Sequence, residues 1–445
     1  MLKRVQHDGA NSPWFGQPRG LTILFLTNMW EQFSYYGMRA LLVYYMTRQL
    51  MIGQAHSSLI YGAYTAFAYF TPIVGGVVAD RWLGKRRAVT IGASVMAAGH
   101  FLMAFEPAFY FALATIALGN GLFLPTLPSQ INDLYEAGDP RRAWAYNVYY
   151  VGVNIGGFLA PLICGTLGEL YGWDWGFGAA GIGMLAGLAI YLWGGQYLPP
   201  ERGATVDPAG EAKAASQRGT YALLLGVALS VTVFRGAYEQ VGNTVALWAG
   251  SGVDRSIGRW AIPMTWFQSL NPLLVMVMTP FLLARWKRRA ALGREHSPVR
   301  KMALGALVVA GSYALLAAVS ALAGSREASW LWLAGFFVLF RLGELYILPN
   351  GLGLFARLAP RRFGATTVAA WYLATFGGSL FAGLVGGLWS RVAHPAFFLL
   401  LAAIASAAAM LLLLLDRPAR RIVAAQAPAP LQAEPPAPVP PGRVG

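Results

Sequence analysis

Residues 26–46 read LTNMWEQFSYYGMRALLVYYM. The run lies in a stretch long enough to cross a hydrocarbon core of about 30 Å as a helix. Yet it carries Asn28, Glu31, Gln32, Tyr35, Tyr36 and Arg39. On a helix Asn28, Glu31, Tyr35 and Arg39 follow one another at three- and four-residue spacing and form one polar stripe, which Gln32 and Tyr36 widen. A charge at the centre of a membrane helix costs roughly 2.5 to 3.5 kcal/mol on insertion scales. The stripe is therefore expected to face water or a ligand rather than lipid.

Outward from this stretch the chain continues in the same style. Of its 445 residues, 56% are hydrophobic and 12% charged, outside the range of soluble domains. Long apolar runs recur, giving twelve expected spans, the first at 20–47, the eighth at 257–285 and the last at 396–415. The reading is an all-α integral membrane protein: a lead at 1–19, a six-helix half at 20–198, a polar linker at 199–219, a second six-helix half at 220–415 and a Pro/Ala-rich, disordered tail at 416–445. The motif ADRWLGKRRA from Ala79 is echoed by ARWKRRAA from Ala284, six spans later. Paired halves of this kind put a substrate site between them and work by alternating access.

The formal charge of +15 is explained by topology. With a cytoplasmic N-terminus, most of the 34 Lys and Arg fall on the inside, and the outer loops keep only Arg48, Arg255, Arg259, Arg326 and Arg391. Both termini are then cytoplasmic, and no surplus remains to call for nucleic acid. Arginine far outnumbers lysine beside abundant Ala and Gly, which suggests a bacterial inner membrane. The single cysteine, Cys164, supports neither a disulfide framework nor a metal site. No Gly-rich loop ends in Gly-Lys-Ser or Gly-Lys-Thr, and no nucleophile–base constellation occurs, so neither an ATPase nor an enzyme is expected. Well inside the spans lie Glu31 and Arg39 in the first, Arg235 and Glu239 four apart in the seventh, and Arg341 and Glu344 three apart in the tenth, the last two pairs each able to meet on one helix face, while Asp133 and Glu169 fall near helix ends.

Seven fragments in order carry a resemblance: EQFSYYGMRALLVYYM from Glu31, GGVVADRWLGKRRAV from Gly75, GNGLFLPTLPSQINDLY from Gly119, YYVGVNIGGFLAPLICGTLGE from Tyr149, YEQVGNT from Tyr238, FQSLNPL from Phe267 and LGELYILPNGLGLFARLAP from Leu342. Together they resemble the proton-dependent oligopeptide transporters of the major facilitator superfamily. The resemblance implies twelve helices without an additional pair between the halves, and a monomer that moves di- and tripeptides with protons and needs no other cofactor. It implies that Glu344, with Asn154 and Asn271, meets the peptide's amino terminus. Arg39 would meet its carboxylate, Tyr36 and Tyr69 its backbone, and Trp371 would line a side-chain pocket. Tyr35, Gln32 and Asn28 belong to the same expected surface. Asp80 and Arg81 look like the superfamily's gating loop.

The coupling machinery departs from the family. Its first-helix pattern Glu-x-x-Glu-Arg-Phe is here Asn28, Glu31, Gln32 and Phe33, and Leu124 stands where the fourth helix normally has lysine. Positive charge reappears at Arg235 and Arg341. Glu239, then Glu31, are expected to carry the proton, with Glu344 committed to the substrate. A second reading stays open: a transporter or exporter of a peptide-like or anionic molecule with little or no proton coupling.

Overall fold

The computed structural model describes residues 16–136, 139, 141–200, 217–292, 294, 296–358 and 364–425. The expected lead and tail, at 1–15 and 426–445, and the body of the linker, at 201–216, lie outside the described residues. The described chain forms twelve helical rods. In the first half these are α1 (Arg19–Tyr44, extended by a π turn to Gln49), α2 (Gln54–Val78, extended to Leu83), α3 (Lys85–Leu102), α4 (Phe109–Ser129), α5 (Arg141–Ala160, continued to Leu170) and α6 (Trp173–Trp193). In the second they are α7 (Gln217–Tyr238, resumed as Thr244–Ser251), α8 (Trp266–Ala291), α9 (Pro298–Ala323), α10 (Trp330–Leu358), α11 (Gly364–Gly386) and α12 (His394–Ala425). Ten are long and apolar enough to cross a membrane on their own; α1, with its polar stripe, and α3, which opens on Lys85, Arg86 and Arg87, are the exceptions. Such helices depend on neighbours to cover their polar groups.

The packing repeats with an offset of six. Helix α1 packs on α5 and α6 as α7 packs on α11 and α12; α2 on α4 as α8 on α10; and α3 on α4 and α6 as α9 on α10 and α12. The two most extensive packings across the halves among the described residues, α2 with α11 and α5 with α8, are each other's counterparts under the same offset. This is the two-bundle plan that the motif echo suggests.

Hydrogen bonds between the halves gather toward one end among the described residues. There Tyr44 donates to the Ala246 carbonyl at 2.5 Å, Arg48 to Gly250 at 3.3 Å and Gln54 to Gly386 at 3.0 Å. Glu169 of the first half accepts from the backbone N–H groups of Met264 and Thr265, at 3.0 and 2.8 Å, where α8 begins. A carboxylate at a helix N-terminus satisfies unpaired donors and complements the dipole. At the opposite end, which carries the linker, Lys85 pairs with Asp133 at 2.6 Å and Arg86 donates to the Leu198 carbonyl at 2.6 Å, both within the first half.

Closure at the sealed end needs Gly62. A Cβ there would come within 2.5 Å of the Gly383 Cα and 2.8 Å of the Ser379 carbonyl, so α2 and α11 touch backbone to backbone. Gly62→Val is expected to force this end apart. Overpacking costs about 1–3 kcal/mol, which shifts the balance of states roughly five- to hundredfold. Labelling of a reporter Ser58→Cys by a membrane-impermeant maleimide should rise accordingly; unchanged labelling would mean that α2 and α11 yield without opening.

Three boundaries differ from expectation. Helix α8 starts at Trp266 rather than 257, because Ser256–Ile257 and Trp260–Ala261 pair as a small antiparallel hairpin, while Val253–Asp254 pairs in parallel with Ala328–Ser329. The same helix runs past 285 to Ala291. Helix α12 does not stop at 415 but continues through Pro418 to Ala425; Asp416 is held by Ser297 and, at 3.0 Å, by Arg420, and Ala419 is buried. The segment expected to begin the disordered tail is therefore a packed helical turn.

Candidate functional site

The site grows from a break in α7. After Tyr238 the chain tightens into a 3-10 turn at Glu239–Gly242, and Asn243 leaves the helical region at φ −114°, ψ −95°. Buried side chains hold this break. Gln240 donates to the carbonyls of Gly236 and Ala382 at 3.0 and 2.8 Å and accepts from Thr244 at 3.0 Å, while Ser58 of α2 donates to Asn243 at 3.0 Å. An irregular backbone at membrane depth survives only where protein or a cavity satisfies its polar groups. The break turns Glu239 toward the first half.

There Glu239 meets two guanidinium groups. Arg39 of α1 binds one carboxylate oxygen across the interface, and Arg235, one turn earlier on α7, binds the other. Tyr61 of α2 accepts from Arg39 Nε at 2.8 Å, and the Arg235 guanidinium lies 4.7 Å over the ring of Tyr69. The pairs are well desolvated: Glu239 is 1% exposed and Arg235 3%. Removing one member of such a pair costs about 3–5 kcal/mol. One helix away, Arg341 contacts Glu344, and Tyr238 donates to Glu344 Oε1 at 2.9 Å.

A cavity of about 210 Å³ lies between the halves, with Tyr36, Arg39, Tyr69 and Asn154 on one wall and Arg235, Asn271, Arg341 and Glu344 on the other. Its polar groups are incompletely satisfied. Nε of Arg235 and of Arg341 lack acceptors and Oδ1 of Asn271 lacks a donor, all three atoms being buried, while Oε2 of Glu344 meets the Arg341 guanidinium. Open donors and an open acceptor thus stand beside paired charges of both signs in one cavity, an arrangement that suits a small ligand with a cationic and an anionic end.

The other expected positions lie elsewhere. Asn28, Glu31 and Gln32 are buried within the first half and do not line the cavity, because α5 covers that part of α1. A Cβ at Gly156 would come within 2.1 Å of the Met29 carbonyl, so the two backbones are in contact there. Asn28 donates to the Tyr149 carbonyl at 3.4 Å, and Gln32 donates to Glu31 at 2.6 Å, leaving Oε1 of Glu31 without a partner. Tyr35 packs edge-on against Tyr36 at 5.4 Å and is likewise off the cavity. Trp371 does not line it either; it is core, packed on Phe355 at 5.3 Å. Asp80 and Arg81 are exposed in the π turn after α2, with no ion pair among the described residues.

Sequence reasoning passed over Tyr61, Tyr150, Tyr238 and Gln268, of which all but Tyr61 line the cavity. Their spacing held a signal: Tyr61 is two turns before Tyr69 on α2, and Tyr150 is one turn before Asn154 on α5, to whose Nδ2 it offers its backbone carbonyl at 2.8 Å.

A family model described as the POT family matches residues 86–203 and 203–400. The chain is 31% identical to an uncharacterized transporter, YclF, of Bacillus subtilis, over 89% of this chain and 92% of the relative. It is also 31% identical to the peptide transporter YePEPT of Yersinia enterocolitica, over 84% of this chain and 88% of that protein. Among solved structures, a mutant of a peptide transporter POT in complex with sulfate superposes with a TM-score of 0.87 at 27% identity, covering 92% of this chain and 97% of that one. The fold agrees with these matches, and the chain belongs to the POT family.

Proposed function

We propose that this protein is a secondary active transporter of di- and tripeptides, driven by protons and working by alternating access. The observation that carries the reading is the cavity between the halves, lined by charged side chains of both signs and holding open donors on Arg235 and Arg341 and an open acceptor on Asn271. A zwitterionic peptide sheds much hydration on entry and needs opposite charges at fixed separation. In this reading Glu344, with Asn154 and Asn271, takes the amino terminus, Arg39 the carboxylate, and Tyr36 and Tyr69 the peptide backbone. The sealed end faces the cell exterior and both termini the cytoplasm, so the conformation described is open inward, in a monomer of the inner membrane. Asp80 and Arg81 serve gating at the cytoplasmic end.

The doubly held Glu239 suggests how protons couple. Arg39 can exchange Glu239 for a peptide carboxylate without stranding Glu239, because Arg235 stays with it. A carboxylate that loses cationic company in a low-dielectric site takes up a proton more readily. Peptide on Arg39 and a proton on Glu239 therefore favour one another, the reciprocity that symport requires. Glu31, whose one hydrogen-bonding partner among the described residues is Gln32, is the second candidate carboxylate. Concentrative uptake of trialanine into proteoliposomes under an inward proton gradient, collapsing with a protonophore, tests this; uptake that equilibrates but never concentrates would refute coupling.

One observation favours an anionic substrate instead: three guanidiniums, of Arg39, Arg235 and Arg341, face two carboxylates, Glu239 and Glu344. Arg341→Thr separates the readings. If Arg341 only serves Glu344, uptake of neutral and aspartyl dipeptides should fall alike. If it binds a substrate anion, uptake of aspartyl peptides should fall selectively by roughly ten- to hundredfold, the scale of a hydrogen bond to a charged group.

A further inference from the structure

Helices α8 and α9 are consecutive, yet each leans on α10, and between them at the linker end runs a groove of about 380 Å³, larger than the central cavity. Its mouth is cationic, with Arg285 and Arg289 from the end of α8 and Lys301 from the first turn of α9. Deeper along the membrane-spanning part of α9 it becomes apolar, with Leu304, Leu307 and Val308. Lys301, Leu304 and Val308 follow at three- and four-residue spacing on one face of α9, so the cation and the apolar wall form one continuous track. Leu304 and Leu307 are 38% and 44% exposed, open to the bilayer rather than packed.

Two further features give the groove its chemistry. Among the described residues no acidic side chain lines it, and Asp416, brought to the start of α9, is held by Ser297 and Arg420. Trp286 on the groove's wall has a buried indole N–H without an acceptor, although the Lys301 ammonium stacks 4.9 Å over its ring. The loop residue His296 reports the positive potential: burial, then Arg300, Arg289 and Lys301, hold its imidazole below the usual histidine range. Accordingly its Nε2 lies 3.3 Å from Arg289 Nη1 as an acceptor.

We propose that this groove is a binding site for an anionic glycerophospholipid of the leaflet at the linker end. Its phosphate lies among Arg285, Arg289 and Lys301, an oxygen accepts from Trp286 Nε1, and an acyl chain follows Leu304 and Leu307. A cation at interface depth with an apolar track below it has the polarity of a lipid, and basic pockets between membrane helices hold lipid headgroups in this way. An inorganic anion would leave the apolar track unused. The inference stands apart from the identity of the transported substrate, since the groove opens to the bilayer and not to the central cavity.

The test is native mass spectrometry of the full-length protein titrated with phosphatidylglycerol, phosphatidylcholine or inorganic phosphate. Wild type should retain phosphatidylglycerol in preference to phosphatidylcholine. The double variant Arg285→Gln/Arg289→Gln, at two exposed positions, should weaken phosphatidylglycerol binding about 30-fold. A control of equal charge change, Arg141→Gln/Arg142→Gln, should leave it intact, and Leu307→Asp should weaken it through the apolar track. Equal retention of both lipids, or a double variant no weaker than the control, would overturn the proposal. So would inorganic phosphate displacing phosphatidylglycerol at equal concentration, which would make this a simple anion site.

Discussion

Arg39→Ala is expected to lower dipeptide uptake by about a hundredfold or more while leaving a folded protein. Arg39 is the cation that the first half contributes to the ion-pair cluster, and its removal breaks the bond to Glu239 that spans the interface and the hydrogen bond from Nε to Tyr61. Glu239 keeps Arg235, so no lone charge is left buried and the fold should survive. The peptide carboxylate, in contrast, loses its proposed partner, and losing one member of a desolvated charge pair costs about 2–5 kcal/mol. A structural role would lower transport of every substrate alike. The proposed role predicts that the wild-type preference for a free carboxylate over a carboxyl-amidated dipeptide disappears in Arg39→Ala. Retention of that preference would show that another group reads the carboxylate.

Glu344→Gln is expected to have a comparable effect from the opposite wall. Glutamine keeps the size and can still accept from Tyr238, whose bond to Oε1 is 2.9 Å long. What is lost is the negative charge that balances Arg341, a residue 8% exposed, and that would meet the peptide's ammonium. An unbalanced buried guanidinium costs about 3–5 kcal/mol, and it would repel the incoming amine. Uptake of dialanine should fall at least a hundredfold. Wild type should reject N-acetyl-dialanine, whereas Glu344→Gln should treat acetylated and free peptide alike. Normal transport of the free peptide by this variant would exclude Glu344 as the amine site.

Much of this site can be read from the sequence because charge and amide groups are conspicuous inside apolar helices. Arg39, Arg235, Arg341, Asn154, Asn271 and Glu344 all line the cavity. Intrahelical partners were legible as well, since Arg235 with Glu239 and Arg341 with Glu344 need only helical spacing. Depth and azimuth were harder. Asn28, Glu31 and Gln32 belong to the same stripe as Arg39, but two or more turns away α5 closes over the helix, and no periodicity within α1 encodes that contact. Tyr61, Tyr150 and Gln268 resemble packing residues in one dimension. The bond from Arg39 to Glu239 joins helices from different halves, so its register comes from tertiary packing, and Trp371 fell on the core side of α11 for the same reason. The late start of α8 was hidden because VDRSIGRWAIP mixes apolar and polar residues much as a helix entrance does, while its backbone pairs as hairpin strands.

Counterflow tests most directly that the cavity carries zwitterionic peptides across the membrane. Proteoliposomes loaded with unlabelled dialanine, with no proton gradient or potential, would be diluted into trace labelled dialanine. The account predicts a transient accumulation of label above equilibrium that is absent from empty vesicles and from Arg39→Ala vesicles. Saturable binding without overshoot, from protein shown to be folded and correctly inserted, would contradict it, because a site that exchanges its ligand between two sides must produce one.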